Sequence, residues 1–317
     1  MPILERDPWR DQYFAGAPCP DDVAIPTDDG DAYVLFPAHR WVYNKLLIAE
    51  IQGLEHAPHG FDPPCFPVFS KPIYNMRGMG TGSMVMEDMA DYREHQQPGH
   101  MWMTLLEGEH VSTDVVVVDG EPVWWRHAIG ISLDGGMFDH WIVEARHRDD
   151  IEAYCGAWLR TNLRGYTGMA NVETIGGRII ECHLRFADQF PDLYGPGWVE
   201  ALVALYAHGT WPFEDRDRRD GFSVVLFGAH GARYRHPERE AIEEALAIPG
   251  VTSVQVTFHE KRSAKSHAMP PGGFRLCIVN CLDLDSGIAA REKLALSFWS
   301  TQRVLKRRTR RATTTSG

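Results

Sequence analysis

The spacing of apolar and polar residues changes along this chain, and each change predicts a helix or a strand. Residues 41–54 (WVYNKLLIAEIQGL) carry apolar side chains at helical spacing and predict an amphipathic helix. Residues 171–186 (NVETIGGRIIECHLRF) follow a period of two around a Gly-Gly pair, which predicts two strands joined by a tight turn. The same patterns predict further helices at 86–97, 149–163, 197–211, 239–248 and 285–298. They predict further strands at 67–75, 100–108, 110–130, 221–228, 251–258 and 274–283.

This order of elements predicts an α+β fold with mostly antiparallel sheets. The charged run FEDRDRRD at 213–220 marks the clearest boundary. We expect a short N-terminal segment at 1–40 with little periodic structure, and a core domain at 41–212. A C-terminal α+β domain at 213–302 and a basic, disordered tail at 303–317 would follow.

Composition and charge narrow the class of protein. The chain has 317 residues, 44% of them hydrophobic, and a net charge of −11, which argues against broad nucleic-acid binding. No apolar run approaches the roughly 18 residues of a membrane span, and the acidic, aromatic start does not resemble a signal peptide. The six cysteines show no CxxC spacing, so we expect free thiols and a cytoplasmic location. The basic tail is either a solvated helix end or a binding arm.

The hairpin at 171–186 carries the most informative side chains. Glu173 and Glu181 lie on its two strands, and Glu181, His183 and Arg185 share one face by the period of two. Facing carboxylates repel each other unless a cation lies between them. Mg²⁺ takes oxygen ligands and often bridges carboxylates to substrate phosphates. The hairpin therefore predicts a metal and nucleotide site, and a solvated face of an exposed hairpin is the alternative.

A second candidate precedes it in the chain. Lys71 lies on a strand, and a glycine-rich turn follows with Gly78, Gly80 and Gly82. Alternate glycines let backbone N–H groups approach an anion closely, and the lysine adds a cation. The pattern suits a polyphosphate but differs from GxxxxGK[ST], and the alternative is a turn without a ligand. Glu109, at the start of a long strand, is by itself an ordinary surface glutamate.

The order of these motifs resembles the ATP-grasp superfamily. The resemblance covers about residues 40–300 and depends on the order of six motifs rather than on any one of them. The last two resemble the metal-binding strands of carbamoyl-phosphate synthetase and biotin carboxylase. The matching segments are NK at 44–45, FSKP, RGMGTGS with VMED, EGEHVSTD at 107–114, LRGYTGMANVE at 163–173 and IECHLR at 180–185.

The resemblance implies ATP and Mg²⁺ as cofactors, and it implies a role for each matching residue. Lys45 and Lys71 would hold the α- and β-phosphates, and the backbone of Leu105 and Leu106 would bind adenine. Glu109 would bind the ribose. Glu173 and Glu181 would ligate the metal, and His183 would be a possible third ligand. The mobile phosphate lid would comprise Arg77, Gly78, Gly80, Gly82 and Ser83. Arg185, with Arg126 in support, would be catalytic by stabilising negative charge on the transferred phosphoryl group or the tetrahedral adduct.

Three features depart from the family pattern. His183 stands where an asparagine is usual, so it either ligates a metal, favouring Mn²⁺, or is structural. Thr104 stands where a glutamate often binds the adenine amino group. About 40 residues precede the NK motif, whereas family members usually begin with a larger domain that helps to form the acceptor site. We therefore expect a homodimer, with Trp9, Tyr13 and Phe14 suited to the contact, or a C-terminal domain that closes the site within one chain.

The resemblance implies an ADP-forming ligase that activates a small-molecule carboxylate as an acyl phosphate and joins it to an amine. Two alternatives remain: a bicarbonate-activating enzyme similar to biotin carboxylase, and a non-catalytic ATP-binding or assembly protein. His230, Arg233, Arg235 and His236 cluster after a strand of the C-terminal domain, as either an anion site or a solvated turn.

Overall fold

The computed structural model describes residues 2–76, 80–262 and 270–298, so the predicted tail at 303–317 lies outside the described residues. The predicted α+β class is confirmed. The helices are α1 Pro8–Phe14, α2 Asp29–Leu35, α3 Lys45–Ile51, α4 Met89–Glu94, α5 Asp149–Asn162, α6 Trp198–His208, α7 Arg239–Leu246 and α8 Leu284–Ala295. The strands are β1 His56–Pro58, β2 Val68–Pro72, β3 Met84–Met86, β4 His100–Thr104, β5 His110–Val118, β6 Glu121–Leu133, β7 Met137–Glu144, β8 Gly168–Ile175, β9 Arg178–His183, β10 Gly221–Gly228, β11 Val251–Val256 and β12 Phe274–Cys281.

These elements form two compact units. The first contains Met1–Gly130 and Val143–Arg219, and the second contains Ile131–Ile142 and the described chain from Asp220 onward. The predicted nucleotide, metal and catalytic residues that the structure describes all belong to the first unit. No helix among the described residues is long and apolar enough to cross a membrane. All six cysteines are free thiols, as their spacing predicts.

A small antiparallel sheet in the first unit carries the predicted phosphate lysine. Its strand order is β1-β4-β2-β3, and Lys71 on β2 stands opposite Met101 on β4. One face of this sheet packs on Tyr92 of α4, and Met101 on the other face packs against α3 through Ala49. Because side chains alternate along a strand, Lys71 shares a face with Phe69, which packs with Met101 and Ala49, so its side chain lies on the face that α3 covers.

A larger antiparallel sheet carries the predicted metal hairpin. Within the first unit its strands lie in the order β6-β5-β8-β9. Val111, Val115 and Val117 of β5 pack into a core with Trp158 and Leu159 of α5. Because side chains alternate across a strand, the intervening residues of β5 face the opposite way, where the hairpin glutamates lie.

The second unit has its own core. Strands β11, β12 and β10 pair antiparallel in that order, and α7 and α8 pack against them. Gly287 lets α8 approach the sheet closely, because a Cβ there would lie 2.3 Å from the sulfur of Cys281.

The structure differs from the sequence predictions in several elements. The predicted helix at 41–54 is divided at Asn44, whose side chain accepts a hydrogen bond from the amide of Leu46 and caps α3. The first 40 residues, predicted to have little periodic structure, contain α1 and α2. Strands β1, β3 and β7 were not predicted.

The start of the chain is packed within the first unit. Ile3, Trp9 and Phe14 are buried, and Arg10 pairs with Asp188. The aromatic side chains that suggested a contact with a second subunit are therefore largely covered by their own chain.

Candidate active site

The two hairpin glutamates face each other. Glu173 and Glu181 are direct partners in the β8–β9 ladder, and the turn between the strands is made by Gly176 and Gly177, both with positive φ. The register shifts by one residue after Glu173, so that Thr174 pairs with Ile179 and Ile180 is left without an opposite residue. The predicted facing of the two carboxylates is therefore present.

His183 completes a set of three possible metal ligands. One ligand atom from each of Glu173, Glu181 and His183 lies within 4.8 Å of the others. His183 Nε2 is 3.9 Å from Glu173 Oε1 and 3.8 Å from Glu181 Oε2. Two carboxylates and an imidazole at this separation are a donor set that fits a divalent cation.

Both predicted phosphate lysines reach this hairpin. Lys45 Nζ lies 2.7 Å from Glu181 Oε2, and Lys71 Nζ donates a 2.9 Å hydrogen bond to the carbonyl of Ile180, the residue that the bulge leaves unopposed. Burial lowers the pKa of Lys71 to about 8, although the charge of Glu181 opposes this shift. Burial by itself would raise the pKa of Glu181, but Lys45 and His183 hold it well below its usual value. The site therefore places two ammonium groups beside two carboxylates.

Asp29 is a member of the site that the sequence analysis missed. Its carboxylate is 5% exposed, lies 2.9 Å from His183 Nδ1 and accepts a 3.0 Å hydrogen bond from Arg185 Nε. Burial would raise the pKa of Asp29, but Arg185 and His183 hold it below its usual value. The side chain of Asp28 caps α2 through the amide of Asp31, and this cap positions Asp29. The pattern DDGD followed by AYVL is a helix-start signal that could have revealed α2.

The two predicted catalytic arginines occupy different surroundings. Arg185 shares Asp29 with His183 and so lies beside the metal-ligand set. Arg126 is 2% exposed, and its guanidinium donates to the backbone carbonyls of Leu193 and Arg219. The register of the sheet places Arg126 three strands away from His183, about 14 Å at the usual strand spacing. The structure thus brings Arg185, and not Arg126, to the glutamate pair.

A buried carboxylate fixes the chain that follows the hairpin. Asp114 accepts hydrogen bonds from Tyr194 Oη (2.6 Å), Asn171 Nδ2 (2.7 Å) and the amide of Ala187 (2.9 Å). Burial raises the pKa of Asp114 to about 6, although these three donors oppose the shift. The sequence analysis did not predict this network, because its members come from separate segments.

The residues predicted to bind adenine and ribose lie in the connection from β4 to β5. Leu105 and Leu106 follow β4, and Leu106 packs beside Met101. The carboxylate of Glu109 pairs with Arg148. His110 is closer to the metal-ligand set, with Nε2 3.0 Å from Glu173 Oε2. Burial would lower the pKa of His110, but its contact with Glu173 raises it. The assignments to adenine and ribose stay predictions.

The predicted phosphate lid follows β2. Arg77 and Gly78 lie outside the described residues. Gly80 and Gly82 have φ of 59° and 81°, and the amide of Ser83 donates to the carbonyl of Gly80. The glycines therefore serve the turn conformation, and their role toward phosphate stays a prediction.

The predicted anion cluster of the second unit lies on an exposed turn. His230 Nε2 lies 2.9 Å from the carbonyl of Pro270, and His236 Nε2 lies 2.7 Å from the carbonyl of Phe258. The two histidines are thus engaged with the backbone of different segments, and the solvated-turn alternative is the better description.

No protein-family model and no curated protein matches this sequence, but solved structures match its fold. Phosphoribosylamine–glycine ligase from Thermotoga maritima aligns with a TM-score of 0.60 at 14% identity, over 92% of this chain and 86% of that chain. Carboxyaminoimidazole ribonucleotide synthase from Aspergillus clavatus, complexed with ATP, aligns at 0.58 and 15% identity, over 86% and 82%. L-amino acid ligase from Bacillus licheniformis aligns at 0.57 and 13% identity, over 81% and 71%. At these identities the likeness concerns the fold alone.

Proposed function

We propose that this chain, which has the ATP-grasp fold, is an ATP-dependent ligase that joins a small-molecule carboxylate to an amine. The observation that carries the proposal is the meeting of Lys45 and Lys71 with the facing pair Glu173 and Glu181 on one hairpin. Two cations beside two carboxylates suit a polyphosphate that arrives with a divalent metal. The solved structures of similar fold are named as ligases or synthases, and one of them is complexed with ATP.

The proposed reaction has two steps. A carboxylate oxygen of the substrate attacks the γ-phosphorus of ATP, the bond to ADP breaks, and an acyl phosphate forms. The amine nitrogen then attacks the acyl carbon, phosphate leaves with the carbon–oxygen electron pair, and the nitrogen loses a proton. Joining the two substrates in this way gives an amide, ADP and phosphate.

The residues of the site would act by positioning and by charge. Lys45 and Lys71 would bind phosphate oxygens, and Arg185 would stabilise negative charge that develops on the transferred group. Mg²⁺ or Mn²⁺ held by Glu173 and Glu181 would neutralise phosphate charge. Lys45 and Lys71 are buried, and a site that excludes water in this way would protect an acyl phosphate from hydrolysis.

We infer amino acids as the first substrate class to test. Two of the similar structures carry an amino acid in their names, L-amino acid ligase and phosphoribosylamine–glycine ligase. An amino acid can supply either the carboxylate or the amine of the proposed reaction, so a single pool tests both roles.

A bicarbonate-activating enzyme is the second candidate function. The fold likeness to carboxyaminoimidazole ribonucleotide synthase, whose product carries a carboxyl group on an amine, favours it. The two candidates differ in their requirements, because bicarbonate activation predicts bicarbonate-dependent ATP turnover without an amine.

An ADP-release screen with pools of amino acids and small carboxylates, with and without bicarbonate, tests the proposal. We expect ADP release that needs both a carboxylate and an amine, supplied either by the amino-acid pool alone or by the amino-acid and carboxylate pools together. Turnover with bicarbonate alone would favour the second candidate. ATP binding without ADP release in any pool would favour a non-catalytic nucleotide-binding protein.

We also propose a homodimer, in which a second subunit helps to close the acceptor site. Light scattering at working concentration should then give twice the 35.8 kDa of one chain. A single-chain mass with full activity would overturn this proposal.

A further inference from the structure

We infer that this site binds its divalent cation through a histidine nitrogen, Nε2 of His183, together with Glu173 and Glu181. The site should therefore favour Mn²⁺ over Mg²⁺ more than a ligand set of oxygens alone would. The inference deepens the proposed function and rests on it only for the nucleotide, since metal binding is measured directly.

The contact between His183 and Asp29 decides which ring nitrogen can ligate. Arg185 donates to Asp29, and His183 Nδ1 lies 2.9 Å from the same carboxylate oxygen. A carboxylate held by a guanidinium can only accept, so Nδ1 carries the proton. A neutral His183 then has its lone pair on Nε2, as in carboxylate–histidine–metal arrangements.

The environment of Nε2 also points to a cation. The side chain of His183 is 4% exposed, and Nε2 has no hydrogen-bond partner within the described residues. Oxygens of Glu173 and Glu181, which are also acceptors, lie 3.9 and 3.8 Å from Nε2. A buried acceptor with no donor is costly. A divalent cation that accepts all three lone pairs would remove that cost.

The chemistry of the donor set determines the choice of metal. Mg²⁺ prefers oxygen ligands and near-octahedral geometry, whereas imidazole nitrogen suits transition-metal ions. An asparagine at position 183 would offer an oxygen in place of Nε2. His183→Asn is therefore the matched exchange of a nitrogen ligand for an oxygen ligand at one position.

Electron paramagnetic resonance with Mn²⁺ tests the inference. The probes are Mn²⁺ alone and Mn²⁺ with inorganic tripolyphosphate, which contains no nitrogen that could be mistaken for a ligand. Electron spin echo modulation detects a coordinated ¹⁴N, and the signal of free Mn²⁺ gives the dissociation constant. Mg²⁺ competition gives the preference between the metals.

We expect ¹⁴N modulation in the parent, its loss in His183→Asn, and its retention in His110→Asn and in the surface control His95→Asn. His183→Asn should also weaken Mn²⁺ binding by about tenfold or more, with a smaller change for Mg²⁺.

If His183→Asn does not fold, parent protein labelled with ¹⁵N-histidine should show the modulation of ¹⁵N, and His110→Asn should leave it in place. Absence of Mn²⁺ binding, absence of nitrogen modulation in the parent, or its loss in His110→Asn would overturn the inference. None of these readouts needs ligase activity, so a failed ADP-release screen is a separate result.

Discussion

Lys45 Nζ lies 2.7 Å from Glu181 Oε2, and this ion pair joins the first residue of α3 to strand β9. The side chains are 8% and 21% exposed, so neither charge is well solvated when the other is removed. Lys45 is predicted to bind phosphate and Glu181 to bind metal, so this ion pair connects the two parts of the proposed site. Its variants therefore report on both parts of the proposed site.

Glu181→Gln should abolish most turnover while ATP binding stays detectable. The amide keeps the size of the side chain but loses the negative charge that a metal and Lys45 both need. We expect turnover to fall by at least about 100-fold, the upper end of the loss found for outer-shell partners of metal ligands. ADP release and calorimetric ATP binding measure the two effects. The matched control is Glu121→Gln, because Glu121 pairs with Arg160 on the exposed surface of β6. Equal turnover in parent and Glu181→Gln would remove Glu181 from the mechanism.

Lys71→Met should weaken ATP binding. A hydrogen bond to a charged group contributes about 1.5–3 kcal/mol, which corresponds to roughly 10- to 150-fold in the dissociation constant. Methionine preserves the apolar stem, so the fold should persist. Lys293→Met is the control, since Lys293 pairs with Glu244 at the surface of the second unit. Unchanged ATP affinity in Lys71→Met would show that the FSKP strand does not hold a phosphate.

The same lysine predicts a pH dependence of ATP binding. The pKa of Lys71 is lowered to about 8, so the free protein loses this cation as the pH rises through 8. Bound phosphate stabilises the protonated form and raises the pKa in the complex. ATP affinity should therefore fall between pH 8 and the pKa of the complex, and Lys71→Met should lack this part of the decrease. Titrations of parent and variant from pH 7 to 10 measure the difference.

Asp29→Asn should destabilise the first unit. The variant leaves the guanidinium of Arg185 without its carboxylate, and breaking a buried pair costs about 3–5 kcal/mol. Because the pKa of Asp29 lies below its usual value, its stabilising effect is present above the unfolded pKa and is lost as the pH falls through the folded one. The parent should therefore be more stable to unfolding than Asp29→Asn at pH 7. This difference in unfolding free energy should narrow only below about pH 4. Urea unfolding measures it, and Asp22→Asn in an exposed turn is the control. A loss no larger than that of the control would show that Asp29 does not stabilise the unit.

Asp114→Asn should respond to pH in the opposite sense. Burial raises the pKa of Asp114 from its ordinary value of 3.8 to about 6, so ionisation is harder in the folded protein. Its contribution to stability is full below the unfolded pKa and declines as the pH rises to about 6, by about 3 kcal/mol in total. The asparagine of the variant has no carboxyl group that ionises, so this decline is absent from the variant. Its stability relative to the parent should therefore increase between pH 4 and pH 7, as urea unfolding at several pH values would measure. A constant difference across that range would contradict the buried ionisation.

Short-range patterns were enough to predict the strands that carry Lys71, Glu173 and Glu181, because side-chain alternation and a Gly-Gly turn act within a few residues. The order of those motifs was enough to predict the ATP-grasp fold. The bulge at Ile180 was not predictable, since a one-residue shift in register depends on both strands of the hairpin.

The sequence by itself determined the elements and the residue types of the site, and the tertiary structure decided which of those residues meet. Asp29 contacts His183 across 154 positions, and no local pattern encodes a contact of that separation. The same is true of the separation of Arg126 from the glutamates, because it depends on the number of strands placed between them. Local periodicity reflects neighbouring residues along the chain, whereas contacts between distant segments form only when helices and strands bury their apolar faces together.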